Sequence, residues 1–169
     1  FDEIFEKCNM GEEKVIISQK EIESTAYHEA GHALIHLYYG EAPSYMSIVA
    51  RGNYGGYTRT EIGEWYPSKE YFLKRICAAL GGRAAELVFK YGLTSGASTD
   101  LNVATDIATN MVCKFGMYEK EIGLAMIGKE ELKYNEKAKE LINRILSEQM
   151  KEATGIIEAN QDAMKRLVK

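Results

Sequence analysis

The sequence predicts a mainly α-helical domain with one small β-hairpin. Only two prolines interrupt its 169 residues, and long stretches place apolar residues three and four positions apart, as amphipathic helices do. Strand-forming residues concentrate instead in residues 44–60, where Tyr, Val, Ile and Thr flank a Gly-Asn-Tyr-Gly-Gly turn that is typical of a hairpin. A hydrophobic content of 46% suffices for one core, so we expect one main domain.

Two helices are predicted on either side of this hairpin. The first covers residues 20–39 and ends at Gly40. The second begins near Pro67 or Ser68, because proline suits a first helical turn, and it ends at Gly92. It contains an adjacent glycine pair at 81–82. Each glycine costs a helix about 1 kcal/mol relative to alanine, so we expect the pair to mark a close approach of another backbone.

Two further helices are predicted in the second half of the chain. Apolar residues form one stripe over residues 99–114, and Gly116 follows as a stop signal. After an irregular link, apolar residues recur at helical spacing over residues 138–157 and predict a long fourth helix. We expect this helix to bend near Gly155 or Asn160.

The composition excludes some classes of partner. The chain has 21 Lys and Arg against 25 Asp and Glu, a net charge of -4, which gives no basic surface for nucleic acid and no polybasic membrane patch. Its three cysteines form no Cys-x-x-Cys pair, which favours a reduced, intracellular environment. No run approaches the ~20 apolar residues of a membrane span, and the acidic N-terminus is unlike a signal peptide. The sequence thus predicts a soluble domain with no nucleic-acid partner.

All three histidines of the chain fall in STAYHEAGHALIHLYYG (24–40), four residues apart on the first predicted helix. His28, Glu29 and His32 form the pattern H-E-x-x-H, in which two imidazoles one turn apart converge on a zinc ion. Zinc lowers the pKa of its bound water to about 7, and Glu29 would take the proton as that water attacks a carbonyl. Chance accounts poorly for two of only three histidines framing a glutamate at this spacing.

The third histidine, His36, is not expected to bind the same ion. On a continuous helix it lies about 12 Å along the axis from His28, too far for zinc–nitrogen bonds of about 2.1 Å. We therefore predict a packing or surface role for His36.

A catalytic zinc takes three protein ligands, so a third must come from elsewhere. No histidine remains and the cysteines lie in apolar helical contexts, which leaves a carboxylate. Glu86 follows the glycine pair in the second predicted helix, and Asp100 stands in the first turn of the third, where a negative charge is favoured. Helix capping by Asp100, and a surface or supporting role for Glu86, are the alternatives. Composition alone does not choose between the two carboxylates.

A resemblance to a known family distinguishes between these two carboxylates. Four ordered segments carry it: STAYHEAGHALI (24–35), RGNYGGYT (51–58), GGRAAEL (81–87) and TSGASTDLNVATDIATNMVCKFGM (94–117). Together they resemble the peptidase domain of the FtsH-type AAA proteases, which are ATP-dependent zinc metallopeptidases. The resemblance implies that His28, His32 and Asp100 bind Zn²⁺, that Glu29 is the catalytic acid/base, and that Glu86 has a supporting role near the metal.

The resemblance also implies how substrate binds. The hairpin would offer an edge strand beside the active-site helix, with Gly55, Gly56, Tyr57 and Thr58 in contact with an unfolded polypeptide added as an extra strand. Thr99 and Leu87 depart from the usual Asn and Glu of the family, but neither position is a ligand. The C-terminal helices are reduced to about residues 133–169, which bears on subunit contacts.

The domain organisation follows from the same resemblance. Residues 1–20 resemble the end of an ATPase module and residues 21–169 the metallopeptidase domain, so we expect a piece of a longer protein, since the chain begins with Phe. The chain contains no Gly-x-x-x-x-Gly-Lys-Ser/Thr phosphate loop. The parent would carry an ATPase domain upstream, assemble as a homo-oligomeric hexamer, be anchored in a membrane, and hold this domain on the cytoplasmic or matrix side.

The sequence therefore predicts a zinc metalloendopeptidase domain that hydrolyses peptide bonds of unfolded or extracted proteins by Glu-assisted attack of zinc-bound water. One alternative is a catalytically silent scaffold that keeps the fold, but such relatives tend to lose the glutamate or a ligand, and here the set is complete. The other is a stand-alone soluble zinc peptidase without an ATPase.

Overall fold

The computed structural model describes residues 18–41, 45–47, 57–59 and 66–168, and it is mainly helical, as predicted. Helix α1 comprises Gln19–Tyr38 and carries the H-E-x-x-H pattern. It begins with a capping box, in which the Ser18 hydroxyl accepts the Glu21 N–H at 3.2 Å and the Glu21 carboxylate accepts the Ser18 N–H at 2.7 Å. It ends before Gly40, whose φ of 81° suits glycine.

Two short strands follow, β1 (Tyr45–Ser47) and β2 (Tyr57–Arg59). They pair antiparallel, with Met46 opposite Thr58, within the segment predicted to form a hairpin. Both strands contact α1. The predicted turn between them lies outside the described residues.

The second predicted helix is two helices, α2 (Lys69–Ala79) and α3 (Gly81–Val88), so the prediction of one continuous helix to Gly92 was wrong. The break falls at Leu80, immediately before the glycine pair, where two residues without side chains weaken the preference for regular helix.

The predicted close approach at the glycine pair is confirmed. A Cβ built on Gly31 of α1 would lie 2.3 Å from the Gly81 carbonyl oxygen, and one built on Gly81 would lie 2.8 Å from the Gly31 oxygen. No Cβ makes such contacts, so α1 and α3 can cross at this distance only with glycine at both positions.

The rest of the described chain is helical apart from its connections. A 3₁₀ turn (Ser95–Ala97) leads directly into α4 (Ser98–Cys113), close to the predicted range. The remaining helices are α5 (Glu119–Ile122), α6 (Lys129–Leu132), α7 (Glu136–Ala159) and α8 (Gln161–Leu167). The long final helix is interrupted at Asn160, one of its two predicted bend positions.

The core consists of two apolar clusters along α7. The first packs α2 and α4 against the earlier part of α7 and buries Ile76 and Met111 completely. The second packs α1, α3 and α8 against the later part of α7 and buries Ile35 and Ile157 completely. Met150 contacts both clusters, so α7 connects them into one core.

Two of the three cysteines lie among the described residues. Cys77 and Cys113 are buried in the core and form no disulfide, and burial raises the pKa of the Cys77 thiol to about 11. A protonated, buried thiol is a poor metal ligand, which agrees with leaving these two cysteines out of the candidate ligands.

Within the described ranges, no helix has the length and apolar character needed to cross a bilayer.

Candidate metal centre

His28 and His32 lie one turn apart on the same face of α1, as the H-E-x-x-H spacing requires. Their Nε2 atoms are 3.2 Å apart. The two rings meet at an interplanar angle of 73°, with 4.9 Å between their centroids. Both side chains are mostly buried, and their Nε2 atoms face a common space.

Asp100, in the first turn of α4, reaches the same space. Its Oδ2 atom lies 3.1 Å from Nε2 of His28 and 3.5 Å from Nε2 of His32. In the part of the chain that the structure describes, these three residues form the only group of three or more His, Cys, Asp or Glu side chains arranged to hold a metal ion. The fold thus brings together ligand types separated by 72 residues in the sequence.

The opposite nitrogen of each ring fixes which nitrogen faces this space. Nδ1 of His28 is 3.0 Å from Oε1 of Glu86, and Nδ1 of His32 is 2.8 Å from the carbonyl oxygen of Ala78. A carboxylate and a carbonyl only accept hydrogen bonds, so each Nδ1 carries a hydrogen and donates it. In the neutral rings, both Nε2 lone pairs therefore point toward each other and toward the carboxylate of Asp100.

This set of atoms fits a tetrahedral divalent metal. In the neutral rings, two lone pairs and a carboxylate repel one another unless a proton or a metal cation lies between them. Zinc bonded to nitrogen and oxygen at about 2.0–2.2 Å in a tetrahedron places its ligand atoms about 3.3–3.6 Å apart. The observed separations of 3.1, 3.2 and 3.5 Å come close to that range.

The pKa values of two residues are shifted in the directions expected if the groups interact. Burial opposes protonation of His28, but its hydrogen bonds with Asp100 and Glu86 outweigh burial and raise its pKa. Burial likewise favours the neutral acid of Asp100, yet the two histidines, which donate to it when their Nε2 atoms carry a hydrogen, hold its pKa well below the usual range. Asp100 is therefore ionised at neutral pH, as a ligand carboxylate must be.

Small residues leave room for the first histidine. A Cβ built on Gly82 of α3 would lie 2.4 Å from Nε2 of His28 and 2.5 Å from Cε1. The ring of His28 therefore packs directly on the backbone of α3. The sequence analysis associated the glycine pair with backbone packing, which is the role of Gly81, but did not anticipate the contact of Gly82 with a histidine ring.

Glu29 and His36 occupy different surroundings on α1. Glu29 is 6% exposed, and its negative charge is among the influences that raise the pKa of His28. Nδ1 of His36 lies 2.9 Å from Oε2 of Glu41, outside the three-residue group. Burial lowers the pKa of His36 despite that carboxylate. This environment fits the packing role predicted for His36.

Glu86 lies on α3 and is 2% exposed. It contacts His28 through Nδ1, on the far side of the ring from Asp100, so it is placed to support a ligand rather than to be one. It also accepts hydrogen bonds from Thr94, which the sequence analysis did not single out. The Ala78 carbonyl was missed too, because a backbone acceptor carries no signal in the sequence.

The residues predicted to bind substrate are only partly described. Tyr57 and Thr58 lie in β2, paired with Ser47 and Met46. Gly55 and Gly56 lie outside the described residues. A role for this strand in binding substrate stays a prediction.

A helix carrying H-E-x-x-H opposite a carboxylate from a second helix defines the class of metal-dependent peptidases. Peptidase family M41 matches residues 15–169, and the chain belongs to that family.

Named relatives agree with this assignment. The chain is 46% identical to the ATP-dependent zinc metalloprotease FtsH 1 of Methylacidiphilum infernorum (isolate V4), over 73% of this chain and 20% of the relative. It is also 46% identical to FtsH of Thermotoga maritima, over 69% and 20%. FtsH of Caldicellulosiruptor bescii is 34% identical over 95% and 30%. The chain thus spans between 20% and 30% of the length of these curated relatives.

Proposed function

We propose that this chain is a zinc-dependent endopeptidase domain that hydrolyses peptide bonds of unfolded or extracted polypeptides. The observation that carries the proposal is the convergence of His28, His32 and Asp100, with both Nδ1 atoms engaged elsewhere and both Nε2 atoms facing one carboxylate. The names of the relatives, which are zinc metalloproteases, support the choice of metal and of reaction.

His28, His32 and Asp100 would hold the zinc. When bound, zinc supplies a Lewis acid that lowers the pKa of a coordinated water to about 7 and polarises a substrate carbonyl. Glu29, one residue from His28, takes the proton of the attacking water on its carboxylate and returns it to the leaving amine. Glu86 and the Ala78 carbonyl keep the histidine rings oriented.

The substrate would bind as an extended chain along β2. Both strands contact α1, the helix that carries the histidines, which supports a polypeptide bound beside that helix by pairing with β2. Pairing through main-chain hydrogen bonds gives little dependence on sequence, which suits a peptidase acting on unfolded proteins.

The longer protein is proposed on the family resemblance and on the names of the relatives, which are ATP-dependent. An ATPase domain in the same chain would deliver extracted polypeptides to this domain. We propose a homo-hexamer, anchored in a membrane, with the peptidase domain on the cytoplasmic or matrix side.

The test combines metal analysis with degradation of casein, a substrate that does not have to be unfolded before it is cut. We expect Glu29→Gln to keep its metal and lose activity by at least about 100-fold, the lower range for a general acid/base. Asp100→Ala is expected to lose both metal and activity. Asp106→Ala is the matched control, because it removes an exposed aspartate from the same helix.

Two results would contradict the proposal. Metal retained in Asp100→Ala but lost in Glu86→Ala would make Glu86 the third ligand. A folded, metal-loaded wild-type chain that cleaves casein no faster than Glu29→Gln would favour the silent scaffold.

A further inference from the structure

We infer that Thr94 is a positioning residue of the candidate metal centre: its hydroxyl connects the turn that leads into the Asp100 helix to the carboxylate that orients His28. The inference rests on the proposed function, because it concerns the same site. It assigns a role to a residue outside the H-E-x-x-H helix and outside the proposed ligands.

Thr94 binds both oxygens of the Glu86 carboxylate. Its hydroxyl donates to Oε1 at 3.0 Å and its backbone N–H donates to Oε2 at 3.3 Å. Oε1 is also the oxygen that accepts the Nδ1 hydrogen of His28. Because Glu86 is 2% exposed, protein donors such as these must replace the water that a carboxylate loses on burial.

The same hydroxyl caps the segment that leads to Asp100. It accepts the N–H of Gly96 at 3.2 Å, at the start of the 3₁₀ turn Ser95–Ala97. That turn continues directly into α4, where Asp100 stands in the first turn. Ala97, at the end of the 3₁₀ turn, is fully buried and fixes the other end of the segment.

The hydroxyl of Thr94 therefore donates a hydrogen bond to Glu86 and accepts one from the turn that leads to Asp100. Through Glu86 it influences the orientation of His28, and through the turn it influences the position of Asp100. Loss of the hydroxyl would leave a buried carboxylate short of one donor and a loop short of its cap. Removal of such an outer hydrogen-bond partner typically weakens metal affinity by about 10–100-fold.

The test measures metal affinity rather than activity. The dissociation constants of Zn²⁺ and Co²⁺ are determined by chelator competition for the 169-residue chain, with the visible absorption of Co²⁺ as a signature of ligand geometry. We expect Thr94→Val, which keeps the shape but removes the hydroxyl, to weaken binding by about 10–100-fold and to change the Co²⁺ spectrum. Thr94→Ser should restore both.

A matched control separates this effect from the loss of any threonine hydroxyl. Thr105 donates to the Leu101 carbonyl on the exposed face of α4, away from the site, so Thr105→Val should bind metal as the wild type does. If Thr94→Val does not fold, by circular dichroism, Thr94→Ala removes the same hydroxyl without a branched side chain and replaces it in the series.

A double-mutant cycle with Glu86→Ala tests whether Thr94 acts through Glu86. We expect Thr94→Val to cost less affinity in the Glu86→Ala background than in the wild type, with the remaining loss due to the uncapped turn before Asp100. Independent, additive losses would overturn the inference, and so would wild-type affinity in Thr94→Val. A wild-type chain that binds no metal would instead refute the proposed function, so the two failures are distinguishable.

Discussion

At the scale of single residues, the two ring nitrogens of each histidine have different roles in the candidate metal centre. Nδ1 of His28 and of His32 is occupied by an acceptor from the protein, Glu86 or the Ala78 carbonyl. Only Nε2 remains for a ligand, and both Nε2 atoms face Asp100. The rings are therefore held in the orientation for binding before a metal arrives, which reduces the cost of ordering them.

Gly82→Ala tests this arrangement at one atom. The added methyl group would lie 2.4–2.6 Å from three ring atoms of His28, so the ring must move away from its position opposite Asp100. We expect metal affinity to fall by at least about tenfold, as for loss of a supporting contact. Chelator competition measures the change. Affinity equal to that of the wild type would show that the His28 ring can shift away from the added methyl group and still bind metal.

The residues of the candidate site were predictable to different degrees. His28, Glu29 and His32 follow from spacing within one helix, because a four-residue step brings side chains to one face. The third ligand, a carboxylate, does not follow from spacing, since Asp100 is 72 residues from His28 and only the fold brings them together. Residue chemistry left Asp100 and Glu86 open, and the family resemblance selected Asp100.

At the scale of helices, the crossing of α1 and α3 is set by the contact between Gly31 and Gly81. A glycine in mid-helix normally lowers stability by about 1 kcal/mol relative to alanine. Here glycine permits a backbone contact that lets the apolar faces of both helices pack. The cost in helix propensity is offset by that packing.

Gly31→Ala should reverse this balance. Its methyl group would lie 2.3 Å from a backbone oxygen, which cannot move without displacing α3. We expect a loss of about 1–3 kcal/mol or more in the free energy of unfolding, as for overpacked cores. Urea denaturation monitored by circular dichroism measures it.

Gly155→Ala is the matched comparison in α7. No atom lies within 4 Å of its added Cβ, so stability should rise by about 0.5–1 kcal/mol. Equal effects of the two substitutions would mean that helix propensity, and not the crossing, controls position 31.

The four predicted helices were right in place more than in continuity or number, because the prediction missed the break at Leu80 and the short helices α5 and α6. Apolar spacing located α1, α4 and α7, because each buries one stripe along its length. The same spacing ran through residues 69–88 and concealed the break at Leu80. A break without a proline depends on what packs against the chain, and the contact with Gly31 is not visible from the sequence alone.

At the scale of the whole molecule, the metal centre joins elements that are far apart in sequence. The candidate site links α1 to α4 through the proposed ligands and α1 to α3 through Glu86. A metal bound there should stabilise the folded domain, because the unfolded chain cannot bring these residues together.

Metal removal measures that stabilisation. With free zinc at a hundred times the dissociation constant, binding contributes about 2.7 kcal/mol. For a domain of this size that corresponds to roughly 5–10 °C in Tm. We expect a chelator to lower the Tm of the wild type by this amount and to leave Asp100→Ala nearly unchanged. The same chelator effect in both proteins would place the stabilising metal elsewhere.

The interruption at Leu80 has a consequence for how this domain can vary. The last carbonyls of a helix have no partner within it, and Ala78 stands in the last turn of α2. That carbonyl is the one that receives the Nδ1 hydrogen of His32. A substitution that made residues 69–88 one regular helix would direct the N–H of Gly82 at this oxygen, in competition with His32. A more regular segment would therefore hold the His32 ring less firmly, so regularity of this helix and metal binding oppose each other here.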